Sequence, residues 1–149
     1  MRIIDKAFPE LTVHELYAIL RLRMDVFVVE QACAYPELDG RDAEPETRHL
    51  WVPADGDGLP GIATYLRVLN DGDGVRIGRV VTSPGHRGRG LSGALLRHAI
   101  DANAHARIDI DAQSHLARWY GGFGFQVNGE EFLEDGIPHL PMHLDPRSG

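Results

Sequence analysis

Cysteine is nearly missing from this 149-residue chain. Its one thiol, Cys33, cannot close an internal disulfide or join a paired-cysteine metal or redox site. It reads as a packed, inert group, since a nucleophilic role would need a histidine beside it. No apolar run approaches the roughly 20 residues of a membrane span, and the opening MRIIDKAFPE lacks the apolar core of a signal peptide. The expected location is cytoplasmic. Basic residues are in deficit, 15 Lys and Arg against 22 Asp and Glu. The resulting net charge of −7 repels nucleic acid and anionic membranes, so an anionic ligand must find a local basic patch. Repeats, linkers and low-complexity tracts are missing too. What is present, 43% hydrophobic and 25% charged residues, suits one domain with one core over residues 1–149.

Thr12 and Glu15, set between Leu11 and Leu16, form a capping box with a hydrophobic staple, and a helix should begin there. Leu16, Leu20, Met24 and Phe27 then build one apolar stripe, leaving Arg21, Arg23 and Asp25 on a charged face. The β-branched run from Val26 to Val29 weakens helix preference, with Glu30 and Gln31 where the helix fades. Pro36 and ELDGRD mark a loop in which Asp39 and Asp42 shape the turn about Gly40. Three strands follow, His49 to Val52, Gly61 to Leu69 and Val75 to Thr82. The runs ADGDGLP and NDGDG between them are too short for a crossover, which predicts an antiparallel meander.

After Pro84 a glycine-rich turn leads into a helix, with Leu91, Leu95, Ala99 and Ala102 on one face, running to His105. Arg107 to Ala112 alternates Ile108 and Ile110 with Asp109 and Asp111, a strand expected to lie parallel to the earlier one. Ser114 caps a short helix through Tyr120, which GGFGF breaks. Leu140, Met142 and Leu144 alternate with His139, Pro141 and His143, a last strand placed near an edge because proline lacks a ladder donor.

The stretch VVTSPGHRGRGLSGALL at 80–96 joins strand to helix through closely spaced glycines. Such a turn lets backbone amides face an anion, the helix start adds unpaired N–H groups, and His86, Arg87 and Arg89 add charge. A glycine turn needed only for packing would seldom carry two flanking arginines. Gly88 to Gly93 also satisfies G-x-G-x-x-G, with Asp109 or Asp111 where a dinucleotide fold places its ribose acid. A dinucleotide glycine follows its strand directly, however, whereas TSPGHR intervenes here, and the chain beyond Gly93 is too short for two mononucleotide halves. A Walker loop needs a lysine that this loop lacks.

RGRGLS at 87–92 resembles the R/Q-x-x-G-x-G/A signature of the GNAT N-acetyltransferase superfamily, whose loop cradles the pyrophosphate of coenzyme A, with Ser92 in place of the last Gly or Ala. TSP at 82–84, ALL at 94–96 and WYGGFGF at 119–125 agree in order and spacing. LRMDVFVVEQ at 22–31, ELDGRD at 37–42, TRHL at 47–50, RVV at 79–81 and EDGIPH at 134–139 are similar to its ElaA-like branch, over nearly the whole chain. The resemblance implies an α/β fold with a mixed, mostly antiparallel sheet flanked by helices. It also implies a wedge between two parallel strands and acetyl-CoA as donor. It leaves the acceptor unnamed.

Amide synthesis from a thioester needs a bound donor, a polarised carbonyl, a free amine and a proton for the thiolate. The resemblance assigns Val80, Val81 and Thr82 to the pantetheine arm, where an N–H could also hold the oxyanion. It assigns the amides of Arg87, Gly88, Gly90, Ser92 and Gly93, with the charge of Arg89, to the pyrophosphate. Tyr120, a phenol with an ordinary pKa near 10, suits the general acid, although it could equally be an aromatic core residue against Phe123 and Phe125, with Trp119 packing nearby. Candidate bases are Glu30, Glu134 and His139, each of which could instead be a solvated surface group. His139 and His143 share a strand face with Glu134 and Asp135 upstream, but no third ligand stands at a diagnostic spacing, so no metal is expected. His98, His105 and His115 read as surface or interface residues, and a homodimer stays open. The expected acceptor is a small-molecule or peptide amine, cationic by the field argument. The alternative is an acyl-CoA-binding sensor with no catalytic use for Tyr120.

Overall fold

The computed structural model describes residues 1–55 and 61–147, so most of the ADGDGLP turn lies outside the described residues. The chain runs β1 (Ile4–Ala7), α1 (Val13–Arg23), β2 (Arg48–Ala54), β3 (Gly61–Asn70), β4 (Gly74–Thr82), α2 (Leu91–Ala102), β5 (Arg107–Gln113), α3 (Ala117–Gly121), β6 (Gln126–Val127), β7 (Phe132–Glu134) and β8 (Ile137–Leu144). The strands form one sheet in the order β1-β2-β3-β4-β5-β8-β6, with β7 also on β8. Neighbours are antiparallel except β4 and β5. The meander and the parallel pair are as the short turns and the β4-α2-β5 crossover require.

Helix α1 opens on the expected box: Thr12 Oγ1 accepts from the Glu15 amide and Glu15 accepts from the Thr12 amide, both at 3.0 Å. The β-branched run does not end it. Met24–Glu30 continues as a π-helix, and the bonds Gln31 N to Val26 O and Cys33 N to Val28 O, each 3.0 Å, span five residues. The buried face is also not the one expected. Ala18, Ile19, Arg23 and Val26 are buried, whereas Met24 is 39% exposed. Arg23, expected on the solvent side, is fully buried because carboxylates beneath the helix receive it.

The sheet has a cluster on each face. One holds Ile19, Val26, Trp51, Tyr65 and Val81 under α1. The larger packs Leu95, Leu96, Ala99 and Ile100 of α2 on Leu50, Leu66, Ile77, Ile108 and Ile110. Each leucine or isoleucine among these contributes about 1.5–3 kcal/mol when fully buried. Helix α2 ends at Ala102, which is exposed, three residues before His105.

Two expectations near the C-terminus are corrected. Ser114 caps nothing; its hydroxyl donates to Glu131 at 2.8 Å, and a single 3-10 turn leads into α3. Strand β8 is not an edge: it lies between β5 and the two-residue β6. Its alternation also differs, since His139 is buried along with Met142. No helix among the described residues is long and apolar enough to cross a membrane.

Candidate active site

Strands β4 and β5 pair only from Gly74–Arg107 to Arg76–Asp109. Beyond that point, among the described residues, no ladder joins them, and the sheet opens. Strand β4 carries a bulge here: Tyr65 faces Val81 and Arg67 faces Gly78, so two residues, Arg79 and Val80, oppose Leu66 alone. Arg79 takes a left-handed φ of 53°. A cleft of about 980 Å³ occupies the opening, lined by β4 from Ile77 to Thr82, the π-helix, α3 and the turn between β7 and β8.

After β4, Pro84–His86 forms a single turn, closed by His86 N–H donating to Ser83 O at 2.8 Å. Gly88 and Gly90 have φ of 78° and 72°, and a Cβ at either would meet nothing within 4 Å. Their glycines answer a backbone requirement, not crowding. Gly90 caps α2 with no side chain, and among the described residues the amides of Gly90, Leu91, Ser92 and Gly93 find no partner within the chain. These are the orphan donors of a helix start, beside open space. Gly93 serves packing as well: a Cβ there would lie 3.5 Å from Phe123 Cζ and 3.8 Å from Trp119 Cζ2.

The arginines of the loop are already engaged. Arg87 donates from both terminal nitrogens to Glu30, at 2.9 and 3.0 Å, and from Nε to Thr82 O at 3.2 Å. Arg89 turns back to Gly85 O at 3.2 Å. His86 Nδ1 is buried without a partner among the described residues. Ser92 lines the cleft.

Tyr120 also lines the cleft and is buried, held edge-on between Trp119 and Phe125 with ring centroids at 4.9 and 6.1 Å. Burial pushes its phenol up to about 12. His139 is buried on β8 and stacks on Phe132. Its Nδ1 lies 2.7 Å from Ile137 O, an acceptor only, so Nδ1 carries the proton. The other ring nitrogen, Nε2, lies 3.6 Å from Glu134 Oε2. Glu30, Glu134, His139 and Tyr120 thus all line one cleft. Cys33 joins them at its rim, with its thiol 3.3 Å from Asp135 O.

Sequence reasoning missed a charged network in the wall of this cleft. Arg23 donates Nε to Glu37 Oε2 at 2.7 Å and Nη1 to Asp42 Oδ1 at 2.7 Å. Arg67, also buried, donates Nη1 to Asp39 and to Asp42, each at 3.0 Å. Arg79 donates Nε to Glu37 Oε2 at 2.8 Å, and Tyr35 OH donates to Glu37 Oε1 at 2.8 Å. Below them His49 Nε2 donates to Asp42 O at 3.0 Å, so its Nδ1 accepts from Tyr65 OH at 2.7 Å. The hydrogen bond from Arg67 holds Asp39 well below the usual carboxylate range. Burial alone would raise Asp42, but Arg23 and Arg67 outweigh it and hold it low. Burial keeps His49 below its ordinary value, hence neutral, and pushes Tyr65 up. The available signal was an arginine inside the apolar strand ATYLRVL, where a lone charge cannot stay unpaired.

Residues 23–146 match the acetyltransferase (GNAT) domain. The chain belongs to the GNAT acetyltransferase family. Its relatives place it in the ElaA-like branch of GNAT proteins. It is 46% identical over 145 residues to a UPF0039 protein of Mycobacterium tuberculosis, covering 94% of this chain and 90% of that one. It is 40% identical over 144 residues to Protein ElaA of Escherichia coli, covering 93% and 92%. Among solved structures, an acyl-CoA N-acyltransferase from Pseudomonas aeruginosa superposes with a TM-score of 0.87 at 42% identity, over 95% of this chain and 97% of the other. Escherichia coli ElaA does so at 0.87 and 35%, over 96% and 99%. The GNAT fold anticipated from the glycine loop is therefore the fold observed, and it is shared with acyl-CoA N-acyltransferases.

Proposed function

We propose that this GNAT protein transfers an acetyl group from acetyl-CoA to the primary amine of a small molecule or peptide, by direct attack while both are bound. The observation that carries the reading is the set of unpartnered amides from Gly90 to Gly93 at the head of the split between β4 and β5. Amides at a helix start, next to two left-handed glycines, suit a diphosphate. The unpaired edge of β4 suits an extended arm bearing amides, because buried backbone groups need partners. Coenzyme A supplies both a diphosphate and such an arm, and its thioester carries the acyl group already activated.

The chain's own groups divide the remaining work. The backbone of Val80 to Thr82 would hold the arm, and an N–H there the developing oxyanion. Gly88 gives the loop its turn, and the Arg87 charge stands beside the loop with Glu30 as its counterion. His139 Nε2, with its lone pair fixed by the Nδ1 bond to Ile137 O, would take the amine's proton, and Glu134 would stabilise the imidazolium formed. Tyr120 keeps its proton to about pH 12, and would pass it to the departing thiolate.

Calorimetry with acetyl-CoA and with NAD tests the donor, and only the former is expected to bind. Release of free thiol across a panel of amines tests transfer. Binding without release on any amine would support the acyl-CoA sensor instead.

A further inference from the structure

Arg79 is a non-glycine residue in the left-handed region, in a strand that borders the cleft. Arginine does not adopt that backbone without cost, so its surroundings must hold it. The bulge it occupies resets the strand. Before it, Ile77 packs with the cluster under α2; after it, Val80 does so, while Val81 joins the cluster under α1. Regular alternation would exchange Val80 and Val81 between the faces. The bulge therefore decides which way the backbone of Val80 to Thr82 is presented to the opening.

Glu37 makes the hydrogen bonds that grip Arg79, and Asp39 Oδ2 stands 3.6 Å from its Nη2. Glu37 receives its Nε on Oε2 at 2.8 Å and its Nη2 on the backbone carbonyl at 3.3 Å. Glu37 is 2% exposed, and its carboxylate is itself held by Arg23 and Tyr35. It stands in the loop whose Tyr35 and Asp39 line the cleft. We propose that Glu37 is a positioning residue for acyl transfer: by gripping Arg79 it holds the β4 bulge, and with it the backbone of Val80 to Thr82, in register with the loop that carries Tyr35 and Asp39. The proposal rests on the acyltransferase reading above.

The test compares Arg79→Gly, which adopts the left-handed backbone without strain, with Arg79→Ala, which does not. It adds Glu37→Gln, alone and combined with Arg79→Gly. In the ligand-free protein, NMR amide shifts of Val80 to Thr82 should stay at their wild-type positions in Arg79→Gly and move in Arg79→Ala. Turnover should remain within about threefold of wild type in Arg79→Gly and fall by about tenfold or more in Arg79→Ala and Glu37→Gln. The affinity for coenzyme A should stay within about threefold in Arg79→Gly and fall by less than turnover does in Arg79→Ala and Glu37→Gln, since the arm loses contacts on β4 while the proposed diphosphate site on α2 is untouched. Combining Glu37→Gln with Arg79→Gly should add less than about twofold to the loss of Arg79→Gly alone. Equal shifts and equal turnover in the Gly and Ala variants would overturn the proposal, because packing of Val80 and Val81 would then suffice. If Glu37→Gln fails to fold, the Arg79 pair decides alone. If the wild type releases no thiol with any amine, the acyltransferase reading fails, while the amide shifts still decide whether Arg79 is held as proposed.

Discussion

Glu30 and Arg87, at the end of the π-helix and in the glycine loop, meet in a two-pronged ion pair of 2.9 and 3.0 Å across the cleft. The guanidinium most obviously suited to a phosphate is thus neutralised by the protein itself, and the amides at the start of α2 are left as the open donors.

Removing that counterion should strengthen anion binding. Both side chains are nearly half exposed, so Glu30→Gln should change stability by no more than about 1 kcal/mol. Its coenzyme A affinity, measured by calorimetry at low salt, should rise severalfold with a steeper salt dependence, because Arg87 is freed. Weakened binding would mean that Glu30 shapes the loop.

Gly90→Val places a β-branched residue at φ 72° with open space around it. The strain should cost about 1–2 kcal/mol of stability, visible in thermal unfolding, while the fold survives. Coenzyme A binding should be lost. Retained affinity would put the diphosphate elsewhere.

Tyr120→Phe should reduce turnover by about 10²-fold or more with coenzyme A affinity unchanged. Full turnover near neutral pH would remove Tyr120 from the chemistry. The same phenol predicts an alkaline effect. Its native pKa is raised to about 12, so the unfolded chain loses this proton first, near pH 10. Stability is intact below about pH 10 and declines from there to about 12. Denaturant titrations across that range should show a smaller decline in Tyr120→Phe.

At acid pH the sign reverses. Asp39 and Asp42 are held below their ordinary values, Asp39 chiefly by the Arg67 hydrogen bond and Asp42 by arginines that overcome its burial. Their contribution is present above about pH 4 and is lost as pH falls below it. Asp42→Asn, which leaves Arg23 and Arg67 short of a charge partner, should cost about 3–5 kcal/mol in denaturant unfolding at neutral pH. A loss under about 1 kcal/mol would show that Glu37 and Asp39 suffice.

What could be read in advance was what is local. The start of α1 depends on Thr12 and Glu15 alone, the meander on turns too short to cross over, and the glycine loop on residues within one turn of one another. The face of α1 was misread because leucine spacing favours Leu16, Leu20 and Met24, whereas Arg23 is drawn inward by carboxylates 14 and 19 residues further on. The π-helix escaped because β-branching loosens a helix without dictating where it stops. Nothing in the pattern announces β1, β6 and β7, and the prolines of β8 point to an edge although β5 covers one side of it and β6 and β7 the other. The glycine loop and Tyr120 within α3, both bordering the cleft, were legible from their motifs. The Arg23, Arg67 and Arg79 network was not, because each arginine looks like an ordinary surface charge until its partner folds beside it.

The three-residue seam between β4 and β5 leaves the sheet nearly divided along its middle. Four strands stand on one side and the C-terminal strands on the other, with Ile108 and Ile110 of β5 sharing the apolar cluster under α2. A molecule seated in the gap is mortar as much as cargo. Occupancy would knit the two leaves into one slab, and the protein would stiffen when the gap is filled and loosen when it empties.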